Sequence, residues 1–244
     1  MKGEVQALVA AARTLAEATR SLPFGPPVAV VYHPLDYAWP VHQAYLERYG
    51  APPKEVLLVG LNPGPHGMVQ TGVPFGDPHW VRTWLRLAGP VGRPSPEHPR
   101  RPVRGFASAR RELSGARLWG WAQQHFGTPE AFFARFFVVN YCPLAFFDAA
   151  GRNLTPDRLP AEQRRQFAPA CGRHLGEVVD LLQPRWVVGL GRAATRAARE
   201  ALGDRRVAVV GALHPSPASP AANRGWAAHF TAVLRAAGVA LPGA

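Results

Sequence analysis

The fold is most constrained by a series of short, continuously apolar segments, each bordered by stretches with helical spacing. The clearest lies at 55–60, which reads Glu-Val-Leu-Leu-Val-Gly and runs straight into a Gly/Pro loop. Similar segments lie at 136–139, 186–190 and 206–210. A strand that is apolar on both faces must be covered on both faces, which is typical of parallel sheets packed between helices. We therefore predict an α/β protein with three α/β/α layers and a mainly parallel central sheet.

The remaining periodicity predicts the helices and loops around this sheet. An additional short buried strand is expected at 28–32, and irregular loops at 89–111, 148–160 and 211–223. The chain shows no internal repeat and no linker, so we expect residues 1–244 to form a single domain. The predicted helices cover 2–21, 38–49, 78–88, 116–126, 129–135, 161–182, 192–202 and 225–237.

Composition limits the partners and the compartment. The 244 residues carry 28 Lys plus Arg against 16 Asp plus Glu, a net charge of +12, and all cations except Lys2 and Lys54 are arginines. Such a charge favours a polyanion such as DNA or RNA, although a GC-rich genome would also place arginines across a surface. Two cysteines exclude a disulfide framework and a four-cysteine metal cluster. Since no signal peptide or 18-residue apolar stretch is evident, we expect no membrane association and a reducing cytosolic environment.

Three polar residues follow predicted strands at the point where each strand ends. Asn62 follows the strand at 55–60, Asn140 follows the next central strand, and His214 follows the last one. Ligands of open parallel sheets bind outside the carboxyl ends of the strands. Taken singly, each residue has a structural explanation: Asn62 could form a turn before Pro63, Asn140 could cap a loop, and His214 could be a hydrogen-bonded core histidine. Together, at one edge of a sheet, they favour a functional site.

The segments that carry these residues resemble the single-strand-selective monofunctional uracil-DNA glycosylase family. They are 60–76, which contains Gly-Leu-Asn-Pro-Gly-Pro-His-Gly-Met, 140–144 (Asn-Tyr-Cys-Pro-Leu) and 214–217 (His-Pro-Ser-Pro), and the similarity extends over roughly 55–237. The resemblance implies hydrolysis of the N-glycosidic bond of uracil, and of 5-substituted uracils, in DNA. The product is the abasic site of base excision repair, and neither a cofactor nor a metal is expected. The expected partner is DNA that contains uracil or a modified uracil.

The resemblance also implies roles for individual residues, and these roles agree with their chemistry. The amide of Asn140 carries a donor and an acceptor that match O4 and N3–H of uracil, and Phe75 offers a ring for the flipped base. A neutral His214 can donate to the departing base, while Asn62 can hold the attacking water. Further substrate-binding residues implied by the resemblance are Leu61, Gly64 and Met68.

Contacts to the DNA backbone are expected from the arginine-rich loop at 89–111 and from 150–165. The loop at 215–224 is expected to act as the wedge that enters the base stack. Ala218 and Ser219 stand where vertebrate members of the family carry Arg-Asn, so we expect a weak wedge that favours single strands and U·G over U·A. The expected DNA-binding residues are Arg100, Arg101, Arg104, Gly151, Arg152, Asn153, Pro215, Ser216, Pro217, Ala218 and Arg224.

Two alternative functions remain open at this point. One is a glycosylase of the same superfamily with a preference for hypoxanthine, xanthine or mismatched thymine. The other is a non-catalytic DNA-binding module with the same fold. In either case we expect a monomer, located in the bacterial cytoplasm with the nucleoid, or in the nucleus of a eukaryote. No lysine lies in any of the motifs, so water is the expected nucleophile.

Overall fold

Four parallel strands form the main sheet of the computed structural model, which describes residues 2–242. Along the chain the strands are β1 (Val30–Tyr32), β2 (Val56–Gly60), β3 (Phe136–Asn140), β4 (Ala145–Phe147), β5 (Asn153–Leu154), β6 (Trp186–Leu190) and β7 (Ala208–Ala212). The main sheet has the order β3-β2-β6-β7, and every neighbouring pair is parallel. The predicted fold class is confirmed.

Helices pack on both faces of this sheet. Those that contact one another in one layer are α1 (Lys2–Arg20), α3 (Trp39–Tyr49), α8 (Ala161–Leu182) and α9 (Arg192–Leu202), and those of the other layer are α6 (Leu113–Phe126), α7 (Pro129–Phe133) and α11 (Trp226–Ala236). The described residues also form the short helices α2 (Pro34–Tyr37), α4 (Met68–Thr71), α5 (Pro78–Thr83) and α10 (Pro220–Asn223), and 3₁₀ turns at Gly105–Ala107 and Pro156–Arg158. Within residues 2–242, no helix is both long and apolar enough to cross a membrane.

The central strands follow directly from their composition. All residues of β2 and β6 are buried, as are four of the five residues of β3. Burial on both faces explains why these segments are apolar throughout rather than alternating. The register pairs Gly60 with Asn140 at the carboxyl ends of β2 and β3, so the segments that follow the two strands leave the sheet side by side.

The structure differs from the sequence prediction at several elements. The strand predicted at 28–32 exists as β1, but it pairs antiparallel with β4, which with β5 forms a separate three-stranded sheet. The strand predicted at 206–210 lies two residues later, because Arg206 and Val207 belong to the turn after α9. The helix predicted at 78–88 ends at Thr83, and the backbone then turns through a positive φ of 53° at Arg86.

Candidate active site

The carboxyl ends of the parallel strands surround a pocket of about 510 Å³. This size lies within the usual range of small-molecule sites. The loops that follow β2 and β3 are joined to each other, because Tyr141 N–H donates to the carbonyl of Gly60 and Cys142 N–H donates to that of Leu61, both at 2.9 Å. All of the predicted catalytic and substrate-binding residues line this pocket: Leu61, Asn62, Gly64, Met68, Phe75, Asn140 and His214.

The orientation of the Asn62 amide is set by one hydrogen bond. Its Nδ2 donates to the carbonyl oxygen of Leu144 at 3.1 Å, which connects the loop after β2 to the segment before β4. The amide nitrogen is therefore engaged with the protein, and Oδ1 is the group that remains to accept a hydrogen bond inside the pocket. An oxygen acceptor in this position is suited to hold a water molecule.

His214 is held in a single tautomer by its own loop. The backbone N–H of Ser216 donates to Nδ1 of His214 at 3.0 Å, so Nδ1 is an acceptor and the ring proton lies on Nε2. Burial lowers the pKa of His214 to about 4, which keeps the ring neutral near pH 7. His214 therefore presents a neutral N–H donor to the pocket.

Asn140 lies between Met68 and Gly60. Its Nδ2 donates to the sulfur of Met68 at 3.2 Å, and thioether sulfur is a weak acceptor that a carbonyl oxygen can replace at small cost. Its Oδ1 lies close above Gly60, where an added Cβ would come within 2.3 Å of that oxygen and 2.7 Å of the Phe75 ring. The absence of a side chain at Gly60 thus makes room for the amide and the ring together.

Phe75 has a backbone conformation that is uncommon for a residue with a side chain. Its φ is 52°, a region that costs energy and persists only where the surroundings enforce it. Trp119 Nε1–H donates to the Phe75 carbonyl at 2.8 Å, and Gly115 approaches so closely that a Cβ there would lie 2.0 Å from the same oxygen. The ring of Phe75 lies 5.8 Å from that of His214, inclined by 37°. Its position beside the catalytic candidates is therefore fixed by α6.

The start of α6 is anchored to the Phe75 segment by carboxylates. Asp77 is fully buried and accepts from Glu112 N–H at 2.7 Å, and it also caps α5 through His79 N–H and Trp80 N–H. Glu112 in turn caps α6 and lies in the pocket wall, where burial raises the pKa of its carboxyl. Glu112 is not among the site residues predicted from the sequence, although an acidic residue directly before a helix is a recognisable cap signal.

The expected DNA-binding residues form two groups around the pocket. Asn153, Ser216 and Ala218 line the pocket itself. The others lie outside its lining: Arg100, Arg104, Arg152, Pro217 and Arg224 are exposed, Arg101 is half-buried, and Gly151 and Pro215 are buried.

The two segments expected to contact the backbone are joined to each other. Arg100 donates to the carbonyl of Ala150 at 3.3 Å, and Arg101 donates to that of Gly151. Arg152 pairs with Asp148 at 2.6 Å. The two loops therefore form one surface beside the pocket, and part of its arginine charge is used to hold that surface together.

Sequence analysis missed several pocket residues because their chemistry is not apparent without the fold. Arg158 and Arg192 bring two cations to the lining from the segment before α8 and the start of α9. Within the described residues, no group of three or more His, Cys, Asp or Glu is placed to hold a metal ion. Ser219, which the sequence already places in the expected wedge, lines the pocket as well, and the other lining residues not selected from the sequence are Pro63, Pro65, Gly67, Glu112, Ser114, Thr155, Asp157, Leu190, Gly191, Ala193 and Ala194.

The fold and the pocket define a class of protein, and its family is identified by similarity to known proteins. The model of the Uracil DNA glycosylase superfamily matches residues 47–237. A crystal structure of wild-type SMUG2 from Pedobacter heparinus aligns with a TM-score of 0.66 over 94% of this chain and 99% of that chain, at 17% identity, which supports the fold alone.

Relatives of higher sequence identity show to which family of that superfamily the chain belongs. The single-strand selective monofunctional uracil DNA glycosylase of Bos taurus is 51% identical over 211 residues, 86% of this chain and 78% of that protein. The protein of the same name from Mus musculus is 52% identical over 209 residues, 85% of this chain and 75% of that protein. The chain therefore belongs to the single-strand selective monofunctional uracil-DNA glycosylase family.

Proposed function

We propose that this protein is a monofunctional uracil-DNA glycosylase that hydrolyses the N-glycosidic bond of uracil in DNA and initiates base excision repair. The observation that carries the proposal is the convergence of Asn62, Asn140 and His214 on one pocket, each immediately beyond or at the end of a parallel strand. The presence of all three polar groups, together with membership of the superfamily, argues against a non-catalytic DNA-binding module.

The pocket can read uracil through Asn140. Asn140 Nδ2 would exchange its weak bond to the Met68 sulfur for one to uracil O4, and Oδ1 would accept from N3–H. Cytosine has the opposite donor and acceptor pattern on this edge, so it would leave buried polar groups unpaired. The Phe75 ring would cover the flipped base, which must leave the stack before it can be reached.

Bond cleavage leaves positive charge on the sugar and negative charge on the departing base. The Nε2–H of His214 would donate to uracil O2 and stabilise the anion, since the ring is neutral and already oriented by Ser216. The Oδ1 of Asn62 would hold the water that attacks the sugar, because its Nδ2 is engaged by Leu144. An amide is a poor base, but a cation-like sugar needs little activation of its nucleophile.

Water rather than lysine serves as the nucleophile in this proposal. Lys54 precedes β2 and is therefore at the amino-terminal end of the sheet, opposite the pocket. Its buried ammonium donates to the carbonyl of Phe133, and burial lowers its pKa to about 8. This lysine cannot reach the sugar, so Schiff-base lyase chemistry has no agent among the described side chains.

The activity is tested with a panel of oligonucleotides that carry one uracil, 5-hydroxymethyluracil, hypoxanthine, xanthine or thymine. We expect uracil to be released as free base, leaving an abasic site that alkali cleaves. We also expect single-stranded and U·G substrates to react faster than U·A, because a mismatched base costs less to unstack. A preference for hypoxanthine or xanthine would replace the proposed specificity, and salt-sensitive binding without any abasic product would overturn the enzymatic proposal.

The surface formed by 98–104 and 148–153 is proposed to contact DNA phosphates. Replacing Arg100 and Arg104 by alanine should lower the log–log salt dependence of duplex binding by up to about 1.8, at about 0.9 for each phosphate that is no longer neutralised. The matched control replaces Arg185 and Arg206, two exposed arginines that precede β6 and β7 at the opposite end of the sheet. Equal slopes for both double variants would mean that Arg100 and Arg104 only solvate the surface.

The proposal extends to the organisation of the protein. We propose that residues 1–244 form a single domain, because across the described residues 2–242 one apolar core takes side chains from α1 through α11. We propose a monomer, since the residues proposed to read and cleave the substrate all line a single pocket. The site of action follows from the substrate, which is chromosomal DNA in the bacterial cytoplasm or in a nucleus.

A further inference from the structure

One large apolar side chain stands out on the surface. Leu113 is 53% exposed, and no other large hydrophobic side chain of the described residues is exposed. It is the first residue of α6, directly after the capping residue Glu112. Its two chain neighbours, Glu112 and Ser114, both line the pocket, whereas Leu113 itself lies outside the lining, so it stands at the edge of the site. Single exposed leucines are common on proteins, so the exposure of Leu113 alone does not indicate a function, whereas its location beside the pocket does.

The direction of the Leu113 side chain follows from the helix. Residues four positions apart lie on the same helix face, and their side chains lean toward the amino terminus of the helix. Arg117 lies four residues after Leu113, and it donates to the carbonyl of Pro215 at 3.0 Å and to Asn223 Oδ1 at 2.8 Å. Leu113 is therefore on the face of α6 that meets the loop at 215–224, and it leans toward the pocket mouth.

The turn at 216–219, within the loop at 215–224, has no long side chain to fill a gap in a base stack. Ala218 is exposed but short, and Ser219 uses its hydroxyl oxygen to cap α10 by accepting from Ala222 N–H. Pro215 is buried beneath the loop. A long apolar side chain that projects beside this loop would supply the bulk that the loop lacks.

We propose that Leu113 is an apolar wedge that packs against a base of duplex DNA next to the flipped nucleotide. This inference rests on the proposed function, because it requires a base to leave the stack into the pocket. An isobutyl group cannot bind phosphate, whereas leucine is one of the side chains that proteins insert between base steps. Leu113 and the 215–224 loop, joined by Arg117, would then enter the duplex from the same rim of the pocket.

The wedge matters only where a stack must be opened. In duplex DNA the flipped base leaves a gap flanked by paired neighbours, and a group that fills the gap stabilises the extruded state. In a single strand the base is already largely unpaired, so little remains for the wedge to stabilise. The effect of Leu113 should therefore depend on the substrate, being largest for U·A, smaller for U·G and smallest for single strands.

Single-turnover rates of Leu113→Ser and Leu113→Phe on these three substrates test the proposal. Leu113→Ser should lower the rate on U·A by roughly tenfold and on single strands by about twofold or less. Leu113→Phe should restore most of the duplex rate, since it replaces one apolar wedge by another. An equal loss on all three substrates would indicate a structural role at the start of α6 and overturn the proposal, as would no loss on any of them.

A binding measurement on an uncleavable duplex tests the wedge independently of bond cleavage. The probe is a duplex with 2-aminopurine beside an uncleavable 2′-fluoro-2′-deoxyuridine, in which unstacking raises the fluorescence. We expect the wild-type protein to raise it and Leu113→Ser to lose more than about half of that rise at saturating protein. An unchanged rise would refute the wedge. If the wild type cleaved none of the uracil substrates, the proposed function would fail, and the fluorescence would still decide the role of Leu113.

Discussion

Replacing His214 by alanine should lower the single-turnover rate of uracil release by about 10²–10³ while the dissociation constant for DNA changes little. The variant loses the Nε2–H donor that would stabilise the departing base, and this interaction strengthens as negative charge develops. The measurement is the rate of abasic-site formation with protein in excess over a single-stranded uracil oligonucleotide, together with the affinity for an uncleavable analogue.

Two further variants separate the donor from the support of the loop. His214→Asn places Oδ1 near the position of Nδ1, so it can still accept from Ser216 N–H, but it has no group at Nε2. His214→Gln can place an amide donor near Nε2 but does not replace the acceptor. If the donor matters, His214→Asn stays as slow as the alanine variant; recovery in His214→Asn alone would mean that His214 acts only by holding the loop. His79→Ala, at an exposed histidine, is the control for histidine loss.

The protonation of His214 also predicts a pH dependence. Because burial lowers its pKa to about 4, the ring should contribute no ionisation step to the cleavage rate between pH 5 and pH 8. The folded state favours the neutral ring relative to the unfolded chain, whose ordinary value is about 6.5. The resulting stability is complete above about pH 6.5 and is lost as the pH falls toward 4. NMR titration of the ring would test this, and a midpoint near 6.5 would contradict the donor assignment.

The sequence was sufficient to predict the central part of the fold because burial on both faces imposes a visible composition. The strands β2 and β6 are apolar throughout, β3 is apolar up to its last residue Asn140, and all three are predicted to within a residue; α8 is predicted with the bounds 161–182. The edge strand β7 is only partly buried, so its predicted limits are wrong by two residues. The three-residue β4 is too short to show any period, and its antiparallel partner β1 lies more than 100 residues earlier.

The candidate site also contains residues that could be predicted from the sequence and residues that could not. Asn62, Asn140 and His214 could be selected because the carboxyl ends of parallel strands in one sheet must meet at one edge. The tautomer of His214 could not be predicted, since it depends on the Ser216 N–H. Neither could the setting of Leu113, which depends on contacts between α6 and a loop about 100 residues later. The residues that could not be predicted are those that support the catalytic side chains or surround the pocket opening, because their roles depend on tertiary contacts.

The discrimination between uracil and cytosine should collapse when Asn140 is replaced by aspartate. A carboxylate has no hydrogen to donate to uracil O4, and it would oppose that oxygen inside a pocket where polar groups must be paired. We expect uracil release to fall by about 10²-fold, as for a buried charged group left unpaired. Cytosine offers its N4 amino group to the same carboxylate, so the ratio of cytosine to uracil release should rise.

This ratio, rather than either rate alone, identifies Asn140 as the residue that reads the base. Asn62→Asp is the matched control, because it introduces the same charge into the same pocket at the residue proposed to hold water. It should change the rates for both bases without changing their ratio. Single-turnover rates on otherwise identical single strands with one uracil or one cytosine give both values. If Asn140→Asp retained full uracil activity and the same ratio as the wild type, the edge of the base would be recognised by another group.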